Sequence, residues 1–541
     1  MTSLAQAAPT LAPAETRPRA DAGEITALAL LNCAVRELCA PGRQVWPAEP
    51  YLVIRLPRSG VMLRARLLRP QLMTPRLAAP VEELRDGWSP AGWRRLTELV
   101  AGELELTTGE ANPEFAEQVT ASHDVVAAMI GEGRQPVGDR FLDSEQALLA
   151  GHRFHPSPKA RQGADWPRYA PETGRRFPLH WLAVREDAIA EAGDVSLLDR
   201  LGPPVRDGYR VLPAHPWQLS LVRPESEAII DLGPYGPEAV PTSSVRTVYV
   251  PDGFLKFSLD VRITNCVRKN AWYEMPGAVA LTGALRPVFA GLSAGLLGEP
   301  GYRTVSADPR LHEGLGVIVR DGVRGLPGTP LLSAAIADPY ARSGAAVARL
   351  LHGSSPEHLL AWWDAYVRHV APPVLRAYLE HGVVLEPHLQ NVLVSMDEDG
   401  MPVRATFRDL EGTKLLSGHW ASFLDGLPGP VARAMTYEPE RGWNRVVYCL
   451  FVNHLAEVAA AVADLCPPLE RELWRLTRHH VARCAEETPS GPEGAARLRA
   501  LLAGVPMPAK ANLRTRWARD ADRDAVYVSV PNPLGDLEAA P

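Results

Sequence analysis

The chain of 541 residues holds only six cysteines, Cys33, Cys39, Cys266, Cys449, Cys466 and Cys484, and no C-x-x-C pair. That argues against a zinc site or a disulfide framework and fits buried or free thiols in a reducing compartment. No stretch reaches the roughly 18 uninterrupted apolar residues of a membrane helix, so no membrane partner is expected. Residues 1–22 are rich in Ala, Pro and Thr, with no basic segment leading into an apolar run. They read as a disordered leader and not a signal peptide, and the chain is expected to be cytoplasmic. Positive charge is not in excess either. With 57 Lys and Arg against 63 Asp and Glu the net charge is -6, so no nucleic-acid partner is expected and any anion site must be a local cluster. Also missing are G-x-x-x-x-G-K-[ST], a strand-borne G-x-G-x-x-G, G-x-S-x-G and H-E-x-x-H. Their absence argues against P-loop and Rossmann nucleotide sites, common serine hydrolases and zincins. No internal repeat is found.

What is present is an ordinary soluble composition, 46% hydrophobic and 22% charged. The length suggests roughly two to three domains. Residues 24–38 have helical spacing and are stopped by Pro41-Gly42; residues 51–68 read as paired strands around Arg58-Ser59-Gly60. Residues 93–106 and 112–130 read as helices, the second started by Asn112-Pro113. This block, to about residue 149, carries no cluster of chemical residues and reads as structural or oligomeric. A Pro- and Gly-rich loop follows, Gly151 to Gly163, holding His152, His155, Lys159 and Arg161. Two histidines are too few for a metal site; an anion-binding loop and a plain surface loop are both open. Residues 211–219 read as a strand entering a packed turn at His215, and residues 272–297 as an apolar, glycine-rich helix. Residues 311–324 read as strands with Asp321-Gly322 as a hairpin turn. Beyond residue 340, a helix at 361–370 is expected to break at Pro372-Pro373 and a further helix to end at Gly382. Residues 443–465 read as an amphipathic helix, ended by Pro467-Pro468, with another at 469–487. Lys510, Arg514 and Arg516 form a late basic group.

Two stretches carry chemistry. From Ser243 to Arg268 the chain reads as two strands joined by Pro251-Asp252-Gly253. From Leu255 apolar and polar residues alternate for ten positions, which puts Leu255, Phe257, Leu259, Val261 and Ile263 on one face and Lys256, Ser258, Asp260, Arg262 and Thr264 on the other. With Arg246, Thr247, Asn265 and Arg268 at the ends, that polar face either grips a polyanion or is simply solvated. The second stretch runs from Val383 through Glu386-Pro387-His388-Leu389-Gln390-Asn391 into a hairpin and ends in Arg408-Asp409-Leu410-Glu411-Gly412. It brings Glu386, Gln390, Asn391 and Asp409 to one end of one hairpin, an oxygen-rich set of the kind Mg2+ prefers. The layout resembles a kinase catalytic loop, hairpin and metal aspartate, without H-R-D or D-F-G. Cations on one sheet and carboxylates on the other suit ATP and Mg2+.

The same residues resemble the IucA/IucC family of NRPS-independent siderophore synthetases. The matching motifs are H-P-x-x-K-x-R-x-G (His155 to Gly163), S-x-R-T (Ser244 to Thr247) and K-x-S-L-x-V-x-I-T-N-C-V-R-K-N-A-W-Y-E (Lys256 to Glu274). E-P-H-x-Q-N (Glu386 to Asn391), R-D-L-E-G (Arg408 to Gly412) and K-A-x-L-x-x-R (Lys510 to Arg516) complete the set, in the family order over about residues 150–517. The resemblance implies an α+β, cupped-hand fold: thumb 23–149, fingers 150–340 and a kinase-like palm 341–541, with antiparallel sheets in fingers and palm. It implies that a substrate carboxylate attacks the α-phosphorus of ATP to give an acyl-adenylate and pyrophosphate. An amine or alcohol then displaces AMP. Carried over residue by residue, Ser244, Arg246, Thr247 and Lys256 look like triphosphate ligands, and Glu386, Gln390 and Asp409 like the metal and phosphate shell, with Asn391 and Asn265 beside them. His155, Lys159 and Arg161 look like the loop over the phosphates. Arg268 and His388 look like carboxylate-orienting residues, with Arg445 and Lys510 as further substrate contacts; Arg268, His388 and Lys256 are the implied catalytic set. The T-N-C-V-R-K-N form looks most like members that use citrate, and a homodimer is implied. The loop departs from the family pattern after Gly163, where Ala164-Asp165-Trp166 replaces a Phe-Ser continuation. Two other readings remain: a kinase-like phosphotransferase, and a non-catalytic ferric-siderophore binding protein suggested by a C-terminal half that resembles FhuF-like sequences. Against an iron-sulfur reductase, Cys449, Cys466 and Cys484 are widely spaced.

Overall fold

The computed structural model describes residues 21–535 except 74, 133–136, 162, 164, 264–265, 307, 343 and 522–524. The leader therefore lies outside the described residues except for its end, where Ala22 already opens the first helix, Ala22–Ala34. The Asp21 carboxylate accepts the Glu24 amide at 2.7 Å and so satisfies one free N–H of the first turn. The helix continues into a π-helical turn, Val35–Cys39, and stops before Pro41-Gly42. Its apolar residues pack with helices Trp93–Thr108 and Pro113–Gly131 and with a five-stranded antiparallel meander, Val45–Ala48 to Trp88–Pro90. Leu513 and Trp517 complete this core, so the end of the chain is built into its beginning. The Glu37 carboxylate fixes that junction by accepting the Leu513 and Arg514 amides, each at 2.9 Å.

An eight-stranded sheet forms the middle of the protein. Its order is Ile189–Gly193, Gly301–Val305, Val317–Asp321, Gly253–Phe257, Thr247–Val250, Ile229–Pro241, Phe177–Arg185 and Tyr209–Ala214. Thr247–Val250 and Gly253–Phe257 pair across Pro251-Asp252 with Thr247 opposite Lys256, which is the hairpin expected from the sequence. The ten-residue alternation is not one strand, however. It is interrupted at Ser258, and Leu259–Ile263 pairs separately with Cys266–Arg268. Nor do Lys256 and Ser258 of the polar face meet solvent. Leu255 and Phe257 join one core on one side of the sheet, Phe254 joins another on the opposite side, and Lys256 is buried with it. Period two only says that two environments differ; at Lys256 and Ser258 both are interior.

Asp321-Gly322 is not a hairpin turn. Val317–Asp321 belongs to the eight-stranded sheet, whereas the next strand, Thr329–Leu332, joins a four-stranded sheet of order Gly295–Leu296, Pro402–Phe407, Val392–Met396, Thr329–Leu332. Strand partners at long range outweighed the local turn signal. Helix Pro356–His381 packs against this sheet and runs straight through Pro372-Pro373, correcting the expected break. A proline inside a helix costs about 3 kcal/mol. Full burial of Trp362, Trp363, Tyr366, Val370, Val374 and Leu375 stabilises by about 1.5–3 kcal/mol each and wins. The helix ends at Gly382 with φ 59°, a left-handed cap that glycine adopts without strain. The segment expected to be amphipathic is instead buried on all sides: Val446, Val447, Cys449, Leu450, Phe451, Val452 and Leu455 are all core. This 25-residue helix, Pro439–Ala463, is long and apolar enough to cross a membrane, yet 89% of its apolar window is buried inside the protein. The result is a mixed fold of helices and mainly antiparallel sheets.

Candidate active site

The Val392–Met396 and Pro402–Phe407 hairpin ends with Val392 opposite Phe407, so Asn391 and Arg408 leave it at the same end. The Arg408 amide donates to the Asn391 carbonyl at 3.0 Å, and the next residue, Asp409, has φ 73°. A left-handed aspartate costs backbone strain and turns its carboxylate out of the strand direction, toward the eight-stranded sheet. There it meets Lys256 Nζ at 2.6 Å and Arg320 Nη2 at 3.0 Å. Glu411 lies 3.0 Å from Lys256 Nζ and also pairs with Arg246. Glu299 accepts Arg320 at 2.6 Å and stands 3.8 Å from Lys256. Lys256 and Arg320 of the eight-stranded sheet, with Arg246 just before its strand Thr247–Val250, thus face Asp409 and Glu411 in the loop after Pro402–Phe407, and Glu299 joins the cluster.

The electrostatics follow from this placement. Burial disfavours both carboxylates, but Lys256 and Arg320 outweigh it at Asp409 and hold that carboxyl well below the usual range. At Glu411, Arg246 and Lys256 outweigh burial and bring it down to about 2. Burial also works against the Lys256 ammonium, and Asp409, Glu299 and Glu411 reverse that, raising it. Glu274 behaves oppositely: burial, with the Glu411 charge beside it, pushes its carboxyl up to about 7. Asn270 positions the cations. It is fully buried, accepts Arg246 Nη1 at 2.9 Å, and donates to the Lys256 carbonyl at 3.1 Å and the Gly316 carbonyl at 3.0 Å.

The Ser243 to Thr247 loop is positioned by Glu145. This fully buried carboxylate pairs with Arg408 at 2.6 Å and accepts the Ser243 amide at 3.1 Å and hydroxyl at 2.9 Å. It ties the Ser243 loop to the hairpin end. Ser244 Oγ accepts the Thr247 amide at 3.2 Å, closing a turn in which Val245 has φ 68°. Gln390 donates to Ser243 Oγ at 3.4 Å, and Asn391 to the Glu386 carbonyl at 3.3 Å. Glu386 itself is paired with Arg445 at 2.9 Å. A Cβ on Gly412 would collide with the Glu386 carboxylate, which is why this position takes glycine. His388 is held below its ordinary range, first by burial and then by the Arg445 and Lys510 charges, so its imidazole is neutral at pH 7.

Lys256, Arg246, Thr247 and Asp409 are therefore brought together, with Glu386, Gln390 and Asn391 along the same hairpin end. Arg268 ends the short strand Cys266–Arg268, and its carbonyl accepts Arg246 at 3.4 Å. Lys510 lies on Met507–Lys510, opposite Tyr527. Asn265 lies outside the described residues. Lys159 and Arg161 are placed apart. Both are buried on Glu172, at 2.5 and 2.8 Å, and His155 Nδ1 accepts the Ser157 amide in the same loop. The expected metal set is split: Glu386 pairs with Arg445, Gln390 donates to Ser243 Oγ and Asp409 pairs with Lys256. Among the described residues, no group of three or more His, Cys, Asp or Glu is placed to hold a metal ion unaided. Sequence reading missed Glu145, Asn270, Glu299, Arg320, Arg408 and Glu411. Asn270, Arg408 and Glu411 stood inside quoted motifs. Glu299 and Arg320 carry no local signal; Arg320 reaches the site because it opposes Phe254, two positions from Lys256 on the same face.

Residues 140–338 match the IucA / IucC family, and residues 360–525 match the Ferric iron reductase FhuF-like transporter family. The L-2,3-diaminopropanoate–citrate ligase of Staphylococcus aureus is 29% identical over 443 residues, 74% of this chain and 75% of its own. The Rhizobactin siderophore biosynthesis protein RhbC of Rhizobium meliloti is 31% identical over 454 residues, 74% and 76% of the two chains. The structure of ATP-bound aerobactin synthetase IucA from Klebsiella pneumoniae superposes with a TM-score of 0.82 at 24% identity, covering 94% of this chain and 99% of that one. These relatives are siderophore-synthesis proteins, several of them named as ligases or synthases that use citrate. The chain belongs to the IucA/IucC family. The FhuF match covers a half in which Cys449 lies in a π-helical segment, Cys466 just before the 3-10 helix Pro467–Leu469, and Cys484 in helix Glu470–Glu487.

Proposed function

We propose that the protein is an ATP-dependent siderophore synthetase. It adenylates a carboxylate, citrate by preference, and condenses it with an amine or alcohol, releasing pyrophosphate and AMP. The observation that carries this reading is the buried row Arg246, Lys256 and Arg320 facing Asp409 and Glu411 across two sheets. The donor set fits ATP with Mg2+: fixed cations suit phosphate, and hard carboxylate oxygens suit the metal. Glu299 Oε2 is also buried with no hydrogen-bond partner among the described residues. In this reading Ser244, Arg246, Thr247 and Lys256 hold the triphosphate. Glu386, Gln390 and Asp409 hold Mg2+, which supplies charge neutralisation when bound. The cupped-hand arrangement, a kinase-like palm, a homodimer and a cytoplasmic location belong to the same reading.

The chain's own residues contribute electrostatics and positioning. Lys256 and Arg246 stabilise charge that develops as pyrophosphate leaves, an effect worth about 10²–10³ in rate for one well-placed donor. Arg268 offers a planar fork that matches a carboxylate. His388, neutral at pH 7, orients that carboxylate through one N–H. Asn391 holds the Glu386 loop through its backbone.

The test is pyrophosphate release with ATP, Mg2+ and citrate, succinate or 2-oxoglutarate, with hydroxylamine as surrogate nucleophile. Pyrophosphate with a hydroxamate from one acid, abolished by Arg268→Ala, supports the ligase. Release of ADP instead would move the assignment to a phosphotransferase, and no turnover with any acid to a binding protein.

A further inference from the structure

We propose that His454, with Asn453 beside it, is a positioning residue. The pair holds the two peptide units that flank His388 and so aims the imidazole that, in the ligase reading, orients the substrate carboxylate. The inference rests on that reading and adds the residues that keep one of its groups in place.

His388 lies in a loop, so its direction is set by whatever binds the peptides on either side. The peptide before it is held through the Pro387 carbonyl, which lies 2.8 Å from His454 Nδ1. The peptide after it is held at both ends. Its N–H, on Leu389, donates to Asn453 Oδ1 at 3.3 Å, and its carbonyl, on His388, accepts the Asn391 amide at 2.8 Å. One residue further on, the Leu389 carbonyl accepts the Ala334 amide at 3.0 Å.

His454 is itself held in one orientation. A carbonyl only accepts, so Nδ1 carries the proton. Burial brings this histidine down to about 4, so at pH 7 it is neutral and Nε2 is an acceptor. The Tyr366 hydroxyl supplies the donor at 2.7 Å, and lies 3.2 Å from Ser333 Oγ. Ser333, Tyr366 and His454 are all fully buried. Consecutive side chains of an α-helix point about 100° apart. Asn453 and His454 fall instead in the π-helical segment Tyr448–Leu455, whose i→i+5 bonds put more residues in each turn and let two neighbours reach one loop. A histidine that merely filled the core would give variants whose losses follow stability alone.

The test uses two substitutions of opposite geometry. Asparagine places its amide nitrogen where histidine has Nδ1, and glutamine where it has Nε2. His454→Asn therefore keeps the Pro387 bond, whereas His454→Gln keeps only the Tyr366 contact. Each is measured for citrate-dependent pyrophosphate release with ATP, Mg2+ and hydroxylamine, for ATP affinity by calorimetry, for melting temperature, and for the place of His388 in a crystal structure. His454→Gln is expected to lower kcat about 10- to 100-fold, as a misplacement of roughly 1 Å can, while His454→Asn stays within about threefold of the wild type. Melting temperature and ATP affinity should not separate the two variants. Equal losses of rate in both, in step with their melting temperatures, would overturn the proposal, as would wild-type kcat in His454→Gln. If the glutamine variant fails to fold, Tyr366→Phe removes one hydroxyl behind His454 and should lower kcat about three- to tenfold; an unchanged kcat there would overturn the assignment. A wild type that releases no pyrophosphate with any acid would remove the ligase reading. The crystal structures then decide: His388 displaced in His454→Gln and in place in His454→Asn keeps the positioning role, and His388 unmoved in both removes it.

Discussion

Two buried charge clusters in this protein are built in different ways. Around Glu172, Lys159 and Arg161 come from one loop, 13 and 11 residues earlier in the chain. Around Asp409 the partners are far away: Lys256 is 153 residues distant, and Arg246 is 165 from Glu411. The first cluster has two cations for one carboxylate at its centre, and Arg161 Nε and Nη1 are buried without hydrogen-bond partners among the described residues. The second sets three cations against three carboxylates. A local cluster can form as soon as its loop closes, and serves as a staple. The distant one exists only where two sheets meet, and its internal charge balance leaves carboxylates that an arriving polyphosphate and metal can re-pair.

The largest expected effect separates staple from site. Glu172→Gln leaves two buried cations without their carboxylate, which costs about 3–5 kcal/mol. It should lower thermal stability strongly, with little change in ATP affinity. The pH dependence has a definite sign. Burial opposes the Glu172 charge, but Arg161 and Lys159 outweigh it and hold the carboxyl at about 2. Its stabilising contribution is therefore present above about pH 4.5 and lost as pH falls toward 2. Acid unfolding of the glutamine variant should lack that component; an unchanged acid limb would break the staple assignment.

Next in size, Lys256→Met should reduce pyrophosphate release about 10²–10³-fold in kcat while the protein still folds. Equal losses from Lys256→Met and Glu172→Gln, in both stability and rate, would erase the distinction between the clusters. Arg161→Gln sharpens it. If the loop also touches phosphate, ATP binding should weaken about tenfold, the effect of one lost charge-assisted contact. Unchanged ATP affinity would confine Arg161 to the staple.

The smallest effect concerns Glu274, which burial and then Glu411 raise to about 7. The fold favours its protonated form, so its contribution is full below about pH 4.5 and is lost as pH rises through 7. Glu274→Gln mimics the neutral form. Its melting temperature should exceed that of the wild type by roughly 2–4 °C at pH 8 and match it at pH 4. A lower melting temperature at pH 8 would show that the ionised carboxylate is needed to balance Arg246 and Lys256.

Local order was legible and long-range order was not. Pro251-Asp252, Asn112-Pro113 and Gly382 marked true boundaries because each acts through its own backbone angles. Pro372-Pro373 and Asp321-Gly322 misled for the opposite reason: burial along one helix and strand partners from elsewhere outweighed a local preference. The alternation through Lys256 located two faces but could not say that Lys256 itself would be interior.

By itself the sequence determined which residue types recur at motif spacing: Lys256, the Glu386 to Asn391 loop and Asp409 on their strand and hairpin ends, with Arg246 close by. It also carried the family relationship. Only the tertiary structure decided that Arg320 and Glu299 complete the cluster, that Glu145 ties two loops to it, and that Lys159 and Arg161 pair elsewhere. The reason is physical. A turn or cap depends on a few neighbouring dihedral angles, whereas a buried charge depends on whichever partners the packing of distant segments brings within about 4 Å.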